Sequence, residues 1–486
     1  MAHEAGPGHT HQVEEDMISN LNDDVLLSIL ENVDLTTSVR ASVLSTRWRH
    51  LPWLLGQLNI DMMDFLHEPY ADPTLDDHID KAMSSLTEAV RSMLSPSCRK
   101  TVITRLCISL IVANSYSSEI GHLVNEVVEN GMVKDIELTS GIENMGAVSD
   151  DELVKHANGV ISFFCNYPNI SCCLTRLLLF NATFLESDLH NLIANVCTEL
   201  RYLYLSRCDT GFQSTFKIDA PNSKLNILEL VHCHFSQVEL HCLPMLEKVI
   251  FGFWLTKCVP LTWGHIPCLK ELEVFSAMPP HQEQFKLSEF LCGAACINTL
   301  SLDFLGQKIW LLPEKHQLSS AFSNLRKLCI YDIFVGFGLL WTTNLLEVAP
   351  SLEILEVEVY DHRCEQDEKV TKLCAKRSNA SWEVPEFPYP KHLPLKELEI
   401  IGFNASEEHL LFIGAVMDRA PNLQSVVLKD KCCKECESTS TALVKHKFLE
   451  NEDEQELVVN KLRDWFSSGA QIIFSDCKVV SECVFA

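Results

Sequence analysis

An α/β fold is predicted for this chain: a short helical unit in front, an irregular solenoid of strand-and-return repeats behind it, and an α/β cap. Three observations predict it. Residues 17–56 carry apolar residues at helical spacing in three short runs. From Ile103 a six-residue segment of the form apolar-x-x-apolar-x-apolar returns twelve times. After Trp382 the order becomes strand, helix, strand, then a further helix and strand.

Composition bounds the rest. The chain has 486 residues, 47 % of them hydrophobic, enough for a large core. Lys and Arg number 39 against 66 Asp and Glu, a formal net charge of −27, which opposes binding to phosphate backbones and anionic lipid. Nucleic acid is therefore excluded as a default partner. The 21 cysteines follow no framework spacing and point to a reducing compartment, cytoplasm and/or nucleus. No apolar run reaches the roughly 18–20 residues of a membrane helix, so no membrane partner is expected. Residues 1–16, with His3, His9 and His11, read as a polar disordered tail rather than a metal site.

The helical unit, residues 17–56, begins with a run that Asn22 or Asp23 can cap and that places Val25, Leu26, Ile29 and Leu30 on one face. Thr36 or Thr37 can cap the second run, which presents Val39, Val43 and Leu44, and Ser45 can cap the third. That third stretch, LSTRWRHLPWLL, spends two arginines and two tryptophans within a dozen residues. Such a cluster can stack on nucleic acid, but Trp48, Leu51 and Leu55 share one helix face, which suits packing. About forty residues bury too little surface to be stable alone, so this unit needs the following segment or a partner. A linker with a connecting helix at 76–95 fills residues 57–100.

The repeats occupy 101–380. Their segments start at Ile103, Val133, Leu174, Leu200, Leu225, Leu246, Leu269, Ile297, Leu325 and Leu352, with two more at Leu395 and Leu423. From Leu200 to Leu352 the steps are 25, 21, 23, 28, 28 and 27 residues, a leucine-rich-repeat period. One unit cannot bury its apolar face alone, and stacking neighbours bury theirs jointly. Cys208 and Cys233 each fall eight residues after their repeat's first leucine, in the slot under the turn. The stretch from Asp361 to Pro394 breaks the rhythm, and its charged first half reads as a mobile insertion. The last repeats and cap take 381–475, and 476–486 is a tail.

Two stretches carry a family resemblance. Val43-Leu44-Ser45, Arg47-Trp48-Arg49, Leu51 and Trp53 match the third helix of the plant-type F-box, VLSxRWRxLW, with Leu21-Asn22 standing where Leu-Pro is usual. The features Trp382-Glu383-Val384-Pro385, Ile401-Gly402-Phe403 and Ala420-Pro421-Asn422-Leu423 resemble the FBD region that follows leucine-rich repeats in plant F-box proteins. The resemblance implies a three-helix F-box, an irregular leucine-rich-repeat solenoid and an FBD-like α/β cap. It further implies a substrate-recognition subunit of an SCF-type ubiquitin ligase, which joins a Skp-type adaptor and cullin complex through Leu21, Val25, Leu26, Ile29, Val43, Leu44 and Trp48 and holds an unidentified target on the repeats. The alternative is an interaction scaffold whose F-box, lacking its proline, recruits nothing.

Catalytic chemistry has no footing: there is no phosphate loop, HExxH or G-x-S-x-G. Cys432, Cys433, Cys436 and His446 lack the matching spacing of a zinc site, and Cys233 in His232-Cys233-His234 already has its repeat slot. No metal, cofactor or catalytic residue is assigned. With the leucines inward, the intervening strand positions form the opposite face. In the later repeats these hold Glu271, Glu273, Glu356, Glu358, Glu397 and Glu399, which read either as a solvated acidic surface or as the contacts for a basic patch on a target.

Overall fold

The computed structural model describes residues 18, 21–66, 75–143, 148–211, 214–254, 259–279, 282–312, 314, 316–361, 365–377, 393–431, 449, 451–465 and 469–475. They fall into two compact units, the first of residues 1–110 and 116–136, the second of 111–115 and 137–486.

In the first unit Asn22 caps helix α1 (Asp23–Leu30), its side chain accepting from the Val25 amide at 2.9 Å. Asp34, not Thr36 or Thr37, caps α2 (Leu35–Ala41), accepting from the Thr37 amide at 2.7 Å and from its hydroxyl. The third element, Trp48–Leu54, is a 3-10 helix containing Pro52. Its three-residue turn keeps Trp48 and Leu51 in one column, and both are buried with Leu26, Leu30 and Leu55. Next come strand β1 (Gln57–Asp61), a 3-10 turn at Met62–Phe65 and the helix α3 (Leu75–Leu94). Ile79, Met83, Leu86, Val90 and Met93 of α3 recur at helical spacing and are buried. Strand β2 (Arg105–Leu110) pairs parallel with β1, Leu58 opposite Leu106, and α4 (Ser117–Glu129) packs on α3. Arg99 ties the unit together. Its guanidinium donates to the Met93 and Leu55 carbonyls at 2.9 and 2.8 Å, and burial pushes its pKa down to about 10.

The second unit is the repeat array. Its strands are β3 (Ile136–Ser140), β4 (Leu174–Thr183), β5 (Tyr202–Asp209), β6 (Thr215–Asp219), β7 (Ile227–Val231), β8 (Gln237–Cys242) and β9 (Lys248–Gly252). They continue with β10 (Leu261–His265), β11 (Glu271–Phe275), β12 (Thr299–Asp303), β13 (Lys327–Phe334), β14 (Ile354–Tyr360), β15 (Glu397–Ile401), β16 (Ser425–Lys429) and β17 (Gln471–Ser475). From β3 to β17 the parallel sheet runs in chain order, skipping only β6, β8 and β10. Those three form a second parallel sheet, in the order β10-β8-β6. The spacing explains it. Steps of 21–25 residues leave no room for a returning helix, so the return is extended. Longer steps hold helices such as α5 (Asp150–Asn166), opened by a Ser149–Glu152 capping box.

Every twelvefold segment named from the sequence contains a strand, beginning two or three residues after its first apolar residue except at β4, which starts on it. The second and fourth strand residues point inward, as with Leu203 and Leu205, Leu228 and Leu230, and Leu272 and Val274. Several strands carry a residue of left-handed backbone at or near their end. Asn181, Arg207, His232, Phe253, Leu305 and Asp332 have φ between 51° and 55°, and Gly402 holds the same place at 76°. The next residue turns under the strand. Cys208 and Cys233 there donate their thiols to the Leu179 and Leu205 carbonyls at 3.4 and 3.3 Å, inside the slot read from the sequence. Against the expected mobile insertion, Glu365–Leu373 is a helix laid back on the array. Val370 and Cys374 pack on Phe253, Phe275 and Leu305, the Ala375 amide donates to the Met278 carbonyl at 3.0 Å, and Arg377 donates to the Gly306 carbonyl at 2.8 Å. Among the described residues no helix is long and apolar enough to cross a membrane.

Candidate functional site

The helical unit sorts its apolar residues into two sets. Leu26 is fully buried, Trp48 nearly so, and Leu21 packs against the same cluster, so these three build the interior rather than an open docking face. The reason is the 3-10 turn, which swings Trp48 under α1. Four others stay outside: Val43 is 84 % and Leu44 71 % exposed, and Val25 and Ile29 are each 42 % exposed. Val33 and Val39 join them at 39 % and 38 %. Val39 was among the apolar residues the sequence placed on the second run, while Val33, in the turn before it, went unread. Arg47 does not reach outward. It pairs with Asp23 at 2.7 Å and donates to the Leu21 carbonyl, bracing the entry to α1 where proline is absent.

On the repeats, the six glutamates are distributed unevenly. Glu358 is buried and bonded to Lys431, which also pairs with Asp332. Burial works against the Lys431 ammonium, yet Asp332 and Glu358 hold its pKa above the ordinary lysine range. Glu356 accepts from the Tyr331 hydroxyl at 2.9 Å and pairs with Lys327 at 2.8 Å, and Glu399 pairs with Lys429. These acids are therefore neutralised by lysines, Lys327 and Lys429 on adjacent strands and Lys431 just past β16, not displayed as an acidic stripe. Glu397 is half-buried on β15. Glu271 and Glu273 keep 49 % and 41 % side-chain exposure and share Lys248 at 3.6 and 3.7 Å. Beside them lies a cleft of about 220 Å³, walled by Tyr204 and Phe275 and edged by Glu143, Arg207, Glu229 and His232. No motif or period in the sequence marks this cleft. Its tyrosine and phenylalanine belong to different repeats and meet only when the strands stack.

Two histidine arrangements invite chemistry. Ser140 Oγ lies 2.8 Å from His156 Nε2, and His156 Nδ1 lies 3.1 Å from the Asn181 carbonyl oxygen. Ser140 is wholly buried, and burial lowers the His156 pKa, so the set is an internal brace with no route for a substrate. His232 stacks on Phe253 at 3.8 Å between ring centres, and burial, with Arg207 adding, pushes its pKa down to about 4. His234 lies 3.4 Å from Asp209. Among the described residues no group of three or more His, Cys, Asp or Glu side chains is placed to hold a metal. Cys432, Cys433, Cys436 and His446 lie outside the described residues, as do His3, His9, His11, the Trp382–Pro385 motif and residues 476–486.

A helical unit with an exposed apolar face, in one chain with a leucine-rich-repeat array, defines a protein-interaction protein. The comparisons name the family. The family model "At1g61320/AtMIF1, LRR domain" matches residues 162–456, more than half of the chain, and the chain belongs to that leucine-rich-repeat family. The F-box domain model matches residues 18–52. Among curated relatives, the chain is 31 % identical over 213 residues to a "Putative F-box/FBD/LRR-repeat protein At3g49030" of Arabidopsis thaliana, covering 43 % of this chain and 46 % of that one. It is 26 % identical over 222 residues to a "Putative FBD-associated F-box protein At3g50710" of the same plant, covering 44 % and 50 %. The chain spans about half the length of the curated relatives it matches.

Proposed function

We propose that the chain is the substrate-recognition subunit of an SCF-type ubiquitin ligase, docking a Skp-type adaptor, and through it a cullin, by its F-box and a target protein by its repeats. The observation that carries this reading is the exposed apolar set on the helical unit, with Val43 and Leu44 at 84 % and 71 % exposure beside Val25 and Ile29. Covering each such side chain is worth about 1.5–3 kcal/mol, which makes a partner the natural occupant of this face. The F-box match supports an adaptor as that partner. Asn22 supports recruitment too, since its amide side chain caps α1 where proline would otherwise set the entry turn. The chain's own contribution is positioning: target and ubiquitin-transfer machinery are held together, so transfer becomes local, and the transfer chemistry belongs to other subunits. On the repeats, Glu271, Glu273 and Glu397 are the acids we assign to target contact.

Co-purification with a Skp-type adaptor tests this. Val43→Asp with Leu44→Asp puts two carboxylates on an exposed face without touching the core, and is expected to weaken binding by at least about tenfold. Leu26→Asp is unsuitable because it would unfold the unit. Adaptor binding by the double variant at wild-type strength would remove the reading, and failure of the wild type to bind would leave a plain interaction scaffold.

A further inference from the structure

We infer that the cleft over β5, β7, β9 and β11 is a socket for an arginine side chain of the bound target. This rests on the reading of the repeats as the target-binding part and names the chemistry recognised there. The cleft is built by the stacking register. Ile250 at its floor stands opposite Glu229 on one neighbouring strand and Glu273 on the other. Parallel strands lie about 4.8 Å apart, so the two carboxylate-bearing backbones are about 10 Å apart with an apolar strip between them. That strip fits an aliphatic stem, and the acids fit its charged end. The walls are aromatic: Tyr204 on one side and Phe275 on the other. Gly252 makes the second wall possible, because a Cβ there would stand 2.2 Å from the Phe275 ring.

The local basic groups are already engaged. Arg176 lies on Glu137 at 3.0 Å and over the Tyr202 ring at 3.8 Å. Arg207 donates to the Glu143 carbonyl at 2.7 Å, and Lys248 is divided between Glu271 and Glu273. His232, stacked on Phe253, stays neutral near pH 7 and adds no charge. Three glutamates, Glu143, Glu229 and Glu273, thus edge a cleft that Arg207 also lines, and Lys248, shared with Glu271, reaches only Glu273 of the three, at 3.7 Å. Burial raises the Glu229 pKa against a hydrogen bond from Tyr202; Glu273 adds to the rise, and Lys248 and Arg176 oppose it. Guanidinium suits this place better than ammonium. It is more weakly hydrated, lies flat against aromatic rings, and presents two donors to each carboxylate.

The test uses the full chain and blocked tripeptides, acetyl-Ala-Arg-Ala-amide and its citrulline and lysine counterparts, titrated by NMR. Saturable binding of the arginine peptide is expected, with citrulline and lysine each weaker by about fivefold or more. Glu229→Gln with Glu273→Gln is expected to lower arginine affinity by a similar factor, and Ile250→Lys, which installs an ammonium in the cleft, to abolish it. Glu186→Gln, exposed and away from the cleft, is the control and leaves affinity unchanged. Should the Glu-to-Gln pair lower the melting temperature, Ile250→Lys decides alone. Equal binding of the citrulline or lysine peptide, or full affinity in Ile250→Lys, overturns the socket. Adaptor co-purification is measured alongside: its loss with peptide binding intact removes the ligase reading and leaves the socket, and the reverse result removes only the socket.

Discussion

His232 shows how one residue carries both fold and pH dependence. Its left-handed backbone is required at the end of β7, and its ring is half-sunk against Phe253. With a folded pKa of about 4, below the ordinary 6.5, the native state takes up a proton less readily than the unfolded chain. Its contribution is full above pH 6.5 and drains away as pH falls from 6.5 toward 4, at no more than about 1.4 kcal/mol per pH unit. His156 acts in the same direction. His232→Phe is expected to make the fall in denaturant stability between pH 7 and pH 5 shallower. Phenylalanine suits the site, since Phe253 holds the equivalent place at φ 55°. An unchanged slope would disprove the assignment. Asn22→Ala should cost about 1 kcal/mol through the lost cap, read as a lower melting temperature of the first unit. Asn22 was legible in the sequence as a capping residue; Asp34 was not, because a threonine stands at each of the next two capping positions.

At the scale of elements, the strap Glu365–Leu373 departs furthest from its sequence. Nine residues rich in charge have no reason to be helical alone. What holds them is the patch of Phe253, Phe275 and Leu305 under Val370 and Cys374, together with Arg377, which lies 4.3 Å over the Phe334 ring and pairs with Asp367. Val370→Asp is expected to free the strap, so that amide exchange across 365–377 accelerates while the strands keep their protection. Protection retained in the strap would contradict this account. The same rule, that tertiary partners choose the local state, explains the 3-10 geometry at Trp48–Leu54.

The molecule as a whole carries a net charge of −27, and at this scale the arginine–tryptophan cluster loses its claim on nucleic acid. Trp48 is inside and Arg47 braces α1, so no stacking platform remains there. Binding to duplex DNA is expected to be undetectable by fluorescence anisotropy at about 0.15 M salt, and saturable binding would refute it. The repeat rhythm, the positions of the twelve repeat strands and the cysteine slots were determined by the sequence alone, and for α1 it offered Asn22 or Asp23 as the cap. Each is a local pattern or a nearest-neighbour contact, and a stacked array adds nothing longer in range to decide them. Three things were decided only by the tertiary structure: which apolar residues of the helical unit face outward, which glutamates are neutralised, and where the cleft lies. Those depend on which side chain stands beside which across strands some 25 to 99 residues apart, such as Glu356 beside Lys327 and Lys431 beside Asp332. Composition and period are blind to such pairings, because they specify how often a residue recurs and not what it meets.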